Sequence, residues 1–321
     1  MPVIFAYIFV VFIWATTPLA IQWSNSSLTF IAAISLRTLI ALVICGSLMA
    51  VFRIPLIKRR DDWLAFVAGM IGLYPNMLLV YWSSQFISSG LMAVILGVYP
   101  FAVGLFSLFF LRENVFNPAR VLAVCLAIAG LGVIHSEQIA LGEQAGYGIL
   151  GMLGSAFLFA LSSVWVKAVG GQVDPLRQST GVLVLSLPAF AVTWFLLDGQ
   201  VPETIDYRSL AGVSYLSVAG SVVGHTLFYY VLRHCSMVSV SLIPLITPVM
   251  ALSIGAAFAN ETVSESTVAG SLLVLFSLAI YQGVFGKVGR LPEFAGRVIV
   301  GAGKLASAFK RHSMALARQV W

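Results

Sequence analysis

The sequence predicts an all-α integral membrane protein of ten transmembrane helices, arranged as two inverted five-helix repeats. Three observations lead there. The 321 residues are 60% hydrophobic and only 9% charged, with mean hydropathy +0.99; a soluble domain carries roughly 25% charged residues. The apolar residues fall into ten stretches near the ~20 residues that a membrane crossing needs. Finally, residues 72–130 recur without a gap 148 positions later, pairing Gly72 with Gly220, Tyr81 with Tyr229, Ser88 with Ser236, Pro100 with Pro248 and Glu113 with Glu261. A proline and an acid 13 residues after it recur together, in a chain with 12 prolines and 12 acids. Internal repeats of this kind set the architecture.

The expected spans are 3–22, 30–52, 63–84, 88–111, 116–135, 147–169, 178–197, 209–231, 236–259 and 264–285. The first has no Lys or Arg before it and no small-residue cleavage site, so it reads as a helix rather than a removable signal. The second holds Arg37, eight residues in. The third presents Tyr74, Met77 and Tyr81 at i, i+3 and i+4 spacing, which one helix face would share. The fourth is interrupted by Pro100, which leaves the Leu96 carbonyl without its helical donor. The fifth closes the first copy, and a polar break at 136–146 follows. In the sixth, Ser162 and Ser163 are expected to bond carbonyls of their own helix. The seventh has no counterpart of Arg37. The eighth repeats the third, with Val222, His225 and Tyr229 on the matching face and a Gly220-x-x-x-Gly224 face suited to close packing. The ninth carries Pro244 and Pro248, and the tenth ends before a basic tail.

Orientation follows the Lys and Arg residues. Sixteen of the 18 lie in alternate loops and the tail; Arg208 lies on the opposite side and Arg37 within a span. Both termini are therefore expected in the cytoplasm. Five helices per copy is odd, so the second copy enters the bilayer upside down. Inverted repeats are a recurring plan of secondary transporters, whose solute site lies near the midplane. From residue 291, Arg297, Lys304, Arg311 and Arg318 recur at seven-residue intervals. That spacing draws one basic stripe on a helix, as suits an amphipathic helix on an anionic inner leaflet.

The candidate site residues come from this layout. Arg37 is an intramembrane charge, which marks a functional position by default. Tyr74, Tyr81, His225 and Tyr229 occupy equivalent faces of spans three and eight. Trp14 and Tyr99 lie near mid-depth and offer rings for stacking. Together these seven are the expected substrate-binding set, with Pro100, Pro244 and Pro248 as helix breaks or hinges. No Asp or Glu lies inside any span, so coupling through a buried carboxylate has no residue to run on. The cysteines Cys45, Cys125 and Cys235 match no metal motif, and no metal or other cofactor is expected. No zincin, nucleophile-elbow or phosphate-loop motif supports an enzyme, and no filter sequence supports a channel.

The Trp14-Ala15-Thr16-Thr17-Pro18 run, read as a break in the first span, Arg37 early in the second, and the run Val98-Tyr99-Pro100-Phe101 to Leu111-Arg112-Glu113 with its echo Thr247-Pro248-Val249 to Asn260-Glu261 resemble the EamA-type members of the drug/metabolite transporter superfamily. The resemblance covers about residues 3–285. It implies a first EamA-type five-helix repeat over 1–140, an inverted second over 141–287 and a cytoplasmic basic tail over 288–321. It further implies a multi-pass protein of the cell inner membrane that exports small metabolites such as amino acids by alternating access. A lipid or lipid-linked-sugar flippase is the alternative, and a non-transporting scaffold a more distant one. The expected partners are a small-molecule substrate and membrane lipid, not nucleic acid; nothing in the sequence demands more than a monomer.

Overall fold

The computed structural model describes residues 2–112, 144–200, 204–241, 265–281 and 283, with 118, 119, 121–123, 125–127, 129, 130, 133, 243 and 247. The described residues form helices and no strand, and seven stretches are long and apolar enough to cross a membrane. This is a multi-pass membrane protein. Glu113, Glu261, Pro244, Pro248 and the tail from 288 lie outside the described residues.

Helix α1 spans Val3–Ser24 and α2 spans Phe30–Val51. Span three is two helices, α3 (Asp62–Ile71) and α4 (Asn76–Ser83). Span four is likewise two, α5 (Ser89–Leu96) and α6 (Tyr99–Phe110). Then come α7 (Ala145–Val169) and α8 (Pro175–Leu197). Span eight is continuous but changes winding: α9 (Tyr207–Tyr215), a π-helical segment at Leu216–Gly224, and α10 (His225–His234). The short α11 (Met237–Val240) and α12 (Glu265–Tyr281) complete the set.

Caps explain several starts. Thr29, Ser88, Asp174, Asp206 and Ser236 each sit in extended backbone and accept a hydrogen bond from an N–H in the first turn of the helix that follows, which satisfies one of its orphan donors. Pro175 then begins α8 where a missing N–H costs nothing. One expectation fails here. The run Trp14–Pro18 does not break the first span; α1 passes through Pro18 as helix. The Thr16 and Thr17 hydroxyls both donate to the Ile13 carbonyl, at 2.9 and 2.7 Å, adding side-chain bonds within the turn where the proline removes a backbone one.

Helix α2 packs on α8, α3 on α7 and α8, and α1 on α9, the π segment and α10. Helices α4, α5 and α6 lie against α7, and α5 also touches α1. Small residues allow the closest approaches. A Cβ on Gly212 would lie 2.7 Å from the Ser24 nitrogen and 2.8 Å from the Ala20 oxygen; one on Gly130 would lie 2.9 Å from the Gly270 oxygen.

Polar networks gather at the two ends. At one, Asp62 pairs with Arg177 and accepts from the Lys58 and Arg59 amides at 2.8 and 3.0 Å. Arg177 also donates to the Pro55 carbonyl at 3.0 Å. Lys167 caps the end of α10 through the Leu232 and Cys235 carbonyls, at 2.7 and 2.8 Å. At the other end, Ser26 donates to both oxygens of Asp206 and Thr29 to Asp198, while Asn25 donates to Ser84 at 2.9 Å.

Candidate functional site

Both helix breaks border one central cavity. Span four parts at Gly97 and Val98, one turn before Pro100, and Leu96, whose carbonyl Pro100 cannot serve, lines the cavity. Span three parts at 72–75, where Pro75 stands ahead of α4. Side chains from neighbours satisfy this second break. Asn76 donates to the Gly72 carbonyl at 2.9 Å and accepts from Ser155 at 2.6 Å. Ser162 donates to the Ala68 carbonyl at 2.7 Å. The expectation that Ser162 bonds its own helix is thus corrected: it reaches across to span three, because the break exposes an acceptor there. Ser163 does bond its own helix, at the Phe159 carbonyl.

The cavity wall is largely aromatic and apolar. Trp14 contacts Phe159 and Phe228 at ring-centroid distances of 5.4 and 5.0 Å, and Tyr99 lies 5.1 Å from Phe159. Met77, Val80 and Ala93 add apolar surface; Asn76, Ser155, His225 and Thr247 add polar groups. The Tyr99 hydroxyl is buried and finds no hydrogen-bond partner among the described residues. No charged side chain is among the described lining residues. Such a chamber binds through ring contacts and a few placed hydrogen bonds.

The sequence-predicted set divides into groups. Trp14, Tyr99 and His225 line the cavity. Arg37 and Tyr81 form a buried pair beside it: Arg37, 2% exposed, donates from Nε to Ser221 at 2.9 Å and from Nη1 to the Tyr81 hydroxyl at 3.3 Å. Tyr74 lies apart, its hydroxyl 2.9 Å from Thr193 and its ring edge-on to Phe190 at 5.0 Å. The break in span three interrupts the i, i+3, i+4 register, so Met77 lines the cavity while Tyr74 contacts span seven. Tyr229 borders a second cleft with Lys167, Gln178 and Arg233, one turn along from His225. Pro100 stands at the break of span four; Pro244 and Pro248 fall outside the described residues.

Sequence reasoning missed Phe159, Ser155, Ser221 and Pro75. Pro75 was visible as a mid-span proline. Phe159 and Ser155 show no mark in a helix rich in Ala, Ser and Phe. Ser221 meets Arg37 from the π segment, whose i→i+5 winding shifts the helix face and is frequent at functional sites. Gly220, in the same segment, gives the guanidinium room: a Cβ there would lie 3.1 Å from Nη2. Gly224 sits close against Ile13 of α1, as the small-residue face suggested.

The sequence model of the EamA-like transporter family matches residues 1–136 and 146–282. The chain belongs to that family. The resemblance to the drug/metabolite transporter superfamily is therefore correct. EamA relatives include an uncharacterized transporter of Archaeoglobus fulgidus, 28% identical over 83% of this chain and 94% of its own length. Protein PecM of Dickeya dadantii is 22% identical over 69% of this chain and 74% of its own. A WAT1-related chloroplastic protein of Arabidopsis thaliana is 25% identical over 60% of this chain and 48% of its own. A solved crystal structure shares the fold, with a TM-score of 0.63 at 15% identity over 86% of this chain and 96% of that one. The family and the Archaeoglobus fulgidus relative are named as transporters.

Proposed function

We propose that this EamA-family chain is a secondary transporter that exports small metabolites such as amino acids across the cell inner membrane. It works by alternating access around the central cavity. The observation that carries this reading is the cavity itself: an aromatic chamber at mid-span, bounded by two broken helices and by the π segment's junction with α10. Discontinuous helices at the midplane are where transporters of inverted-repeat design hold solute.

Ten spans in two inverted repeats, 1–140 and 141–287, supply the motion. Helix pairing supports this: span three packs on spans six and seven, and span eight on spans one and two, the exchange that a two-fold relating spans 1–5 to 6–10 requires. The two family matches fall either side of the break at 137–145. The end rich in Lys and Arg, where residues 55–62, 167–177 and 232–235 meet, faces the cytoplasm with both termini. The tail over 288–321 lies on the inner leaflet.

Counterflow in proteoliposomes tests the function. Purified full-length chain, screened against amino acids, nucleosides and sugars by thermal shift, is loaded with each hit and assayed for uptake of radiolabelled solute. Uptake above protein-free vesicles is expected for at least one amino acid. Absence of counterflow for every solute that binds would reject transport.

A further inference from the structure

Arg37 is a buried cation with no acid partner among the described residues. It is the eighth residue of α2, about 12 Å along the helix at ~1.5 Å per residue, and 2% exposed. Its two hydrogen-bond partners, Ser221 and the Tyr81 hydroxyl, are neutral dipoles. Nη2 has no hydrogen-bond partner among the described residues and faces the bare backbone of Gly220. The described acids, Asp61, Asp62, Asp174, Asp198, Asp206 and Glu265, all lie at helix ends. Among the described residues the one ion pair joins Arg177 to Asp62, where spans seven and three begin. An unpaired charge held inside a bilayer protein is costly, and it persists where a partner of opposite sign serves it. No acid among the described residues is placed to be that partner.

The cavity adjoins this charge. His225 lines the cavity. Ser221, which holds Nε, is one turn before His225 on the same span. Tyr81 follows Val80, another lining residue. The described lining residues include no acid, and the aromatic wall suits an apolar or aromatic body.

We infer that the central cavity takes an organic solute carrying a single carboxylate, with Arg37 as its counter-charge at the His225 corner and Trp14, Tyr99 and Phe159 receiving the solute's apolar part. This rests on the transporter reading of the cavity and adds the substrate class to it. One guanidinium balances one negative charge, and its planar fork matches a carboxylate. A solute with an amine alone would meet a like charge and no acid.

Four probes of one shape separate these possibilities: phenylacetate, phenylacetamide, phenethylamine and phenyl phosphate. Each is titrated against the detergent-purified full chain at fixed ionic strength, with the midpoint of thermal unfolding as readout. Phenylacetate is expected to raise the midpoint with half-saturation at least tenfold below that of the amide and the amine. Arg37→Gln should erase the difference between acid and amide. Tyr81→Phe and Ser221→Ala keep the charge and should keep the preference, so the test survives if the Arg37 variant fails to fold. The inference is overturned if the amide stabilises as well as the acid, if the amine or the phosphate binds tightest, or if none of the four acts. Counterflow of any other solute by the same preparation would, in those cases, leave the transporter reading standing.

Discussion

At Gly212 two helices approach so closely that backbone meets backbone. A methyl group there would come within 2.8 Å of the Ala20 oxygen and 2.7 Å of the Ser24 nitrogen, neither of which can turn aside as a side-chain tip would. Gly212→Ala should therefore part α9 from α1 and cost about 1–3 kcal/mol, the usual range for overpacking. Gly46 is its control, since a Cβ there meets nothing within 4 Å, and Gly46→Ala in mid-helix should gain up to ~1 kcal/mol. Thermal unfolding in detergent distinguishes them; equal midpoints would contradict the packing described. A second residue carries a pH signature. The Ser26 hydroxyl, with the Ser209 amide, holds the Asp206 carboxyl below its ordinary range. A carboxylate with a depressed folded-state pKa stabilises fully above the ordinary carboxylate range and loses that contribution as pH falls through the depressed value. Wild type should thus exceed Asp206→Asn in unfolding midpoint at neutral pH, and the two should converge in acid. A gap independent of pH would contradict it.

Elements decide which residues meet. Healing the break in span four tests its role: Gly97→Ala with Pro100→Ala restores a donor to the Leu96 carbonyl and favours continuous helix across 97–98. The variant is expected to fold as well as wild type while counterflow falls by about tenfold, equivalent to ~1.4 kcal/mol on the transport barrier. Unchanged counterflow would show that the break is packing alone. Much at this scale was legible beforehand. Composition and span length located the seven apolar crossings, and Pro100 announced its break. Arg37 stood out because a charge in a span is rare. Its partners did not, because Ser221 reaches it only through a π segment that leaves no periodicity to read. Tyr74 and Tyr81 were grouped by a helical register that Pro75 interrupts. His225 and Tyr229 do share a helix, but they border different cavities. Phe159 was hidden by its surroundings: one ring among many apolar residues marks a cavity wall only once α1, α6 and α10 are packed against it.

Across the whole molecule, the cavity lies between two polar ends. Asp62 and Arg177 pair at one, and Ser26 bonds Asp206 at the other. Alternating access requires these ends to yield in turn while the chamber between them stays assembled. The measurement that tests this most directly uses Ser155, a cavity-lining residue of the sixth span, replaced by cysteine in a chain freed of Cys45, Cys125 and Cys235. A membrane-impermeant thiol reagent is applied to proteoliposomes from each side separately, with counterflow as a second readout. The account expects Ser155→Cys to react from both sides, each reaction being slowed by transported solute and abolishing counterflow. Reaction from one side only, or from both with counterflow intact, would contradict it.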